Sequence, residues 1–107
     1  MHAMTLNELQ EEVVSWADSI SSERKPKDAV VKAVSETSEL LDAVLNDGDV
    51  EQELGDLIVL LLDLAHMYNI DLIAAGERKM VVNRKRRWRN EGGVIRRIKA
   101  PINGVEP

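Results

Sequence analysis

Cysteine is absent from this 107-residue chain, phenylalanine is absent too, and tyrosine occurs once. The missing thiols exclude disulfides and thiolate metal sites and are compatible with a reducing cytoplasm. With no Phe and a single Tyr, whatever core the chain builds must be aliphatic. Long apolar runs are also lacking. The longest, Leu57 to Leu62, is ended by Asp63 and falls far short of the roughly 20 residues that span a bilayer, so a soluble chain with no membrane partner is expected. No signal-peptide pattern opens the sequence. Bases are scarce in residues 1–77, which hold 17 acids against 4 bases, whereas residues 78–107 hold 10 bases against 2 acids. The basic third could meet nucleic acid, a phosphorylated small molecule or the acidic remainder of the same fold. The length suits one domain with a modest core.

Hydrophobic spacing divides the chain into four helices and a tail. Leu6, Leu9, Val13, Trp16 and Ile20 recur at three and four from Thr5 to about Ile20, with Thr5 as N-cap and Glu8 completing a capping box. After the polar loop 21–25, a second helix runs from about Pro26 to Leu45 and stops at Asn46-Asp47-Gly48-Asp49. Its apolar positions Val30, Val34, Leu41 and Leu45 predict a core face that Glu36 and Glu39 would oppose, with Lys32 beside them. A third helix runs from about Asp49 to Tyr68. The fourth is capped by Asp71, continues to about Trp88 or Asn90 and is ended by Gly92-Gly93. Val94 to Lys99 reads as a short strand or an extended arm, and residues 101–107 as a loose terminus. Residues 1–90 are therefore taken as the helical domain and 91–107 as a C-terminal arm. The third helix is apolar on nearly every side, which predicts an all-α four-helix bundle whose core is completed by a second copy.

Acids placed in pairs on those helices carry the chemistry. Glu36 and Glu39 share one helix face, as do Glu53 and Asp56, and Asp63 continues the second stripe. Converging carboxylates in an apolar helix raise one another's pKa unless a cation neutralises them. Oxygen ligands without Cys or a His cluster favour Mg²⁺, or Mn²⁺, over Zn²⁺. Asp63 could instead accept a hydrogen bond from a neighbouring helix. Asp63-x-x-His66 occurs on one helix only, which does not suit a di-iron bundle, and His66 reads as structural. Arg24 and Lys25 could reach phosphates or simply keep their loop solvated.

The run VSETSELLDAV, then EQELGDLIVLLLDLA, then GERKMVVNRKRRW resembles the MazG-like all-α nucleoside triphosphate pyrophosphohydrolases over roughly residues 6–88. The family hallmark, E-x-x-E followed by E-x-x-D, falls on Glu36-x-x-Glu39 and Glu53-x-x-Asp56. Thirteen residues separate Glu39 from Glu53, and Glu51 cannot open the second motif because Leu54 stands three positions on. The resemblance implies hydrolysis of a (d)NTP to (d)NMP and pyrophosphate with Mg²⁺ as cofactor. It implies that Glu36, Glu39, Glu53 and Asp56 hold the metal and that one of the glutamates activates water. Lys79, Asn83 and Arg86, at spacings of four and three, would clamp phosphate oxygens. The chain has Ser35 where many relatives carry a further glutamate.

Trp16 reads first as core, with stacking on a substrate base as its alternative, and Trp88 as packing at the end of the fourth helix. Arg84, Lys85, Arg87 and Arg89 read as a solvated basic face. Trp88 is the one aromatic residue among them, too few for a stacking platform, and a nucleic-acid partner is not expected. The resemblance implies a homodimer or homotetramer. The same scaffold serves phosphoribosyl-ATP and dUTPase-like pyrophosphohydrolases, and a non-catalytic helical dimer is the rival from another class.

Overall fold

The computed structural model describes residues 3–99, which form four helices and a two-stranded hairpin. The expected loose terminus, 101–107, lies outside the described residues. The chain divides after Leu72 into two compact units.

The first unit holds α1 (Leu6–Ile20), α2 (Pro26–Leu45) and α3 (Val50–Met67). Each start is fixed locally. Thr5 Oγ1 accepts from the Glu8 N–H at 3.1 Å while Glu8 Oε1 accepts from the Thr5 N–H at 3.2 Å, closing the expected capping box. Pro26 opens α2, where its missing N–H leaves no bond unmade. Asp49 caps α3 by accepting from the Gln52 N–H at 3.0 Å.

The ends are local too. Asp47 (φ 53°) and Asn69 (φ 54°) take the left-handed conformation just past α2 and α3. The Gly48 N–H then donates to Ala43 O at 2.8 Å, and the Ile70 N–H to Ala65 O at 2.9 Å. A Cβ on Gly48 would stand 3.0 Å from Ala43 Cα, so glycine is what lets the chain reverse so tightly. That reversal lays the helix carrying Glu36 against the helix carrying Glu53.

α3 packs along both α1 and α2, which scarcely meet each other. The buried core is small: Val13, Val14 and Ala17 from α1, Ala43 from α2, Leu62 and Ala65 from α3. Gln10 Nε2 donates to Leu62 O at 2.9 Å and ties α1 to the middle of α3.

The packed faces differ from those expected. On α2 the inward positions are Ala29, Ala33, Glu36, Leu40 and Ala43, while Val30, Val34, Leu41 and Leu45 remain 48–72% exposed. Alanines allow the close helix approach, and the larger aliphatic stripe is left outside. On α1 the rotation is smaller. Val13 is buried as expected, but Trp16 and Ile20 are 59% and 68% exposed, which overturns the reading of Trp16 as core. α3 also leaves Leu54, Ile58 and Leu61 exposed.

The second unit contains α4 (Leu72–Lys85) from Ile73 onward and strands β1 (Arg87–Glu91) and β2 (Val94–Ile98). The helix stops short of its expected end near Trp88–Asn90. The Arg86 N–H and the Trp88 Nε1–H both donate to Asn83 O, at 3.2 and 2.7 Å, and this closes the last turn. Arg87–Glu91 then pairs antiparallel with Val94–Ile98, with Glu91 opposite Val94. Gly92 (φ 61°) and Gly93 (φ 87°) form the two-residue turn between the strands, where both central residues need positive φ. The Gly93 N–H donates to Asn90 Oδ1 at 2.8 Å. The glycines thus turn a hairpin and do not stop a helix.

Candidate active site

Because α1 and α2 meet α3 but hardly touch each other, a cleft of about 510 Å³ opens between them with α3 as its floor. α1 contributes Leu9, Glu12, Val13 and Trp16, α2 contributes Lys32 and Glu36, and α3 contributes Asp56, Val59 and Leu60. A second region of about 210 Å³ shares Val13, Trp16, Lys32, Val59 and Leu60 and extends to Ala17, Ile20 and the Arg24–Asp63 pair. The cleft is therefore acidic at one end and largely apolar at the other.

At the acidic end, one carboxylate oxygen each from Glu36, Glu53 and Asp56 lies within 4.8 Å of the others. Glu36 Oε2 and Glu53 Oε2 are buried and have no hydrogen-bond partner. Glu39, exposed at the rim, hydrogen-bonds to Glu36. That contact, together with burial and the charges of Glu39 and Asp56, holds the Glu36 carboxyl above the ordinary range, while the nearby Lys32 pulls it down. Burial first, then the charges of Glu39, Asp56, Asp49 and Asp42, raises Glu53. Three convergent carboxylates, two of which carry a buried unsatisfied oxygen, make a donor set for a hard divalent cation.

Asp63 has a different partner. Arg24 donates to both of its oxygens, Nε to Oδ2 and Nη2 to Oδ1, each at 2.7 Å, and Nη1 donates to Asp18 at 2.8 Å. Asp63 raises the Arg24 pKa through those bonds. The pair pins the α1–α2 loop to α3, so Asp63 is satisfied within the chain and Arg24 is committed to it.

Of the residues singled out in the sequence, the fold brings Glu36, Glu53 and Asp56 together, sets Glu39 beside them and places Trp16 in the same cleft. Lys79, Asn83 and Arg86 belong to the second unit. Lys79 is exposed; Asn83 and Arg86 line a separate cavity with Met80, Arg84, Trp88 and Ile95. Arg86 lies beyond the end of α4, so the three do not share one helical face. The sequence reading gave Lys32 no role. Its signal was its position one turn before Glu36.

No family model matches the chain. The dATP/dGTP diphosphohydrolase of Cyanophage S-2L is 32% identical over 95 residues, covering 88% of this chain and 89% of that protein. The dATP/dGTP diphosphohydrolase of Salmonella phage PMBT28 is 32% identical over 106 residues, 96% of this chain but 36% of that protein. Among solved structures, the Cyanophage S-2L MazG-like pyrophosphohydrolase bound to dGDP and three catalytic Mn²⁺ ions per active site superposes with a TM-score of 0.77 at 32% identity. The match covers 90% of this chain and 94% of that one.

Proposed function

This chain belongs to the MazG-like pyrophosphohydrolase family and is a nucleotide pyrophosphohydrolase; we propose that its substrate is a purine deoxynucleoside triphosphate, released as the monophosphate and pyrophosphate with Mg²⁺ or Mn²⁺. The observation that carries this reading is the cluster of Glu36, Glu53 and Asp56 with its two unsatisfied buried oxygens, at one end of a cleft whose other end is apolar. The purine preference rests on the names of the two phage relatives.

In this reading Glu36, Glu53 and Asp56 hold the divalent ions, and Glu39 joins them from the rim. Bound ions supply charge neutralisation for the polyphosphate and lower the cost of ionising a water. A glutamate of the set orients that water and accepts its proton. Trp16, with its ring largely exposed on the cleft wall, offers a face for the base. Lys79 as a point charge, Asn83 as an amide donor and Arg86 as a fork keep their reading as phosphate-binding residues of the basic second unit. The exposed stripes Val30, Val34, Leu41 and Leu45 on α2 and Leu54, Ile58 and Leu61 on α3 support a homodimer or homotetramer, since apolar surface of this extent marks contact with another chain.

The test is pyrophosphate release from purine and pyrimidine deoxynucleoside triphosphates, with Mg²⁺, with Mn²⁺ and with chelator, for wild type and Glu53→Gln. Metal-dependent release that favours purines and is lost in the variant is expected. Release indifferent to metal or to the substitution overturns the reading.

A further inference from the structure

We infer that Lys32 is a substrate-binding residue, whose ammonium at the junction of the acidic and apolar ends of the cleft holds an oxygen of the phosphate nearest the nucleoside. The inference rests on the pyrophosphohydrolase reading above and adds to it the direction in which the nucleotide lies.

Of the described basic side chains, Arg24 and Lys32 line these two regions of the cleft. Arg24 is engaged by Asp63, Asp18 and the Ser21 carbonyl. Lys32 enters no ion pair or hydrogen bond among the described residues, yet it lines both regions of the cleft. It stands one helical turn before Glu36, close enough for its charge to favour the ionised form of that carboxyl. On its other side the wall is Val13, Trp16, Ala17 and Ile20.

A nucleotide placed in this cleft has only one favourable direction. The base loses least by entering the apolar end, where an aromatic face and aliphatic side chains replace water. The outer phosphates belong at the carboxylate end, where divalent ions bring the two sets of negative charge together. The sugar and its first phosphate then fall at the junction, beside Glu12, whose charge the metal ligands leave uncompensated and which would repel that phosphate. Among the described residues that line these regions, Lys32 is the cation with no ion pair. A long flexible stem carrying a point charge suits one non-bridging oxygen better than a bidentate grip would. Because Lys32 is exposed in the free chain, replacing it leaves the core undisturbed.

The experiment compares wild type, Lys32→Met and Lys32→Arg in the full chain. It measures inhibition or direct binding by dGMP and by deoxyguanosine, the KM for dGTP in pyrophosphate release, and Mn²⁺ affinity from the electron paramagnetic resonance signal of the free ion. Loss of one charge-assisted hydrogen bond predicts that Lys32→Met weakens dGMP and raises the KM for dGTP by about tenfold or more. Deoxyguanosine affinity and Mn²⁺ affinity should stay at the wild-type level, and Lys32→Arg should recover most of the loss. Unchanged dGMP affinity in Lys32→Met overturns the inference, as does an equal loss for deoxyguanosine, a failure of Lys32→Arg to recover, or no binding of dGMP by wild type. Tighter Mn²⁺ binding with an unchanged KM would mean that Lys32 only offsets the acid cluster, and it too overturns the inference. A wild type that binds dGMP but releases no pyrophosphate overturns the proposed reaction instead, and the dGMP comparison still decides the role of Lys32.

Discussion

Asp56 and Asp63 stand two turns apart on α3, and the chain neutralises one end of that acidic stripe while leaving the other bare. Asp63 is buried, but two 2.7 Å bonds from Arg24 satisfy both of its oxygens. Glu53 and Asp56, with Glu36 opposite on α2, converge without an ion pair among the described residues, Lys32 acting on Glu36 through its charge alone, and two of their oxygens are buried without a partner. Burial of a carboxylate therefore does not by itself distinguish structure from function in this fold. What distinguishes them is whether the chain supplies the counter-charge. Where it does, the pair holds a loop in place; where it does not, the fold carries an electrostatic penalty that a ligand can relieve.

Substituting amide for carboxylate at each end should break the comparison in opposite ways. Glu53→Gln removes a metal-facing oxygen, and metal-dependent pyrophosphate release should fall by about a thousandfold, as for other first contacts of a catalytic ion. The same change also removes a charge from a repelling cluster, so the metal-free variant should melt at a higher temperature than metal-free wild type. A lower melting temperature would show that Glu53 has a structural partner the cluster geometry does not reveal. Asp63→Asn should do the reverse. It leaves the Arg24 guanidinium half-compensated and should cost about 3 kcal/mol in urea denaturation, while folded protein below the transition keeps its metal affinity. Replacing both partners, Arg24→Met with Asp63→Leu, should recover most of that loss, because apolar packing often equals a buried pair once neither charge is left alone. A double variant no more stable than Asp63→Asn would assign the loop anchor to geometry that only the ion pair provides.

The next expected effect concerns the two faces of α2. The face that packs within the chain carries alanines and Glu36, whereas the exposed one carries Val30, Val34, Leu41 and Leu45. If a second copy covers the larger stripe, Val34→Glu should raise the dissociation constant of the assembly by about a hundredfold, as expected for a charge placed in a buried contact. Light scattering coupled to size exclusion reads this directly. An assembly unmoved by the substitution would place the contact on Leu54, Ile58 and Leu61 of α3.

Helix starts were legible in the sequence because their causes are local. Thr5 with Glu8, Pro26 and Asp49 each act within one turn, and all three hold in the structure. The acid motif was legible as spacing, and the tight reversal at Gly48 turns that spacing into convergence. Helix faces were not legible. Val30, Val34, Leu41 and Leu45 form the most apolar stripe of α2, but hydrophobicity does not say whether the same chain covers a stripe, and here alanines make the closer contact. Trp16 was misread for the same reason, since an aromatic residue at core spacing on α1 lines a cleft that exists only because α1 and α2 stand apart. The hairpin was misread because Arg87–Glu91 continues the basic run of α4 without a break in composition. Only the turn geometry of Gly92-Gly93 separates strand from helix there.

The smallest expected effect is also the most direct probe of the unneutralised end. The folded chain raises the carboxyls of Glu36 and Glu53 above their ordinary value of 4.5, so at pH values between the ordinary and the raised pKa the native state binds more protons than the unfolded one. Stability contributed by these two groups therefore falls as pH rises through the raised pKa, and it is fully recovered below 4.5. Metal-free protein should melt at a higher temperature just above pH 4.5 than at neutral pH. Saturating Mn²⁺ should reverse the slope, because the ion binds the deprotonated cluster and competes with its protons. Asp63 supplies the internal control. Glu53→Gln should flatten the metal-free profile, whereas the Arg24→Met with Asp63→Leu variant should keep the profile of wild type. If the slope survives Glu53→Gln unchanged, the protons are taken up elsewhere, and the contrast between the two ends of the stripe would no longer be electrostatic.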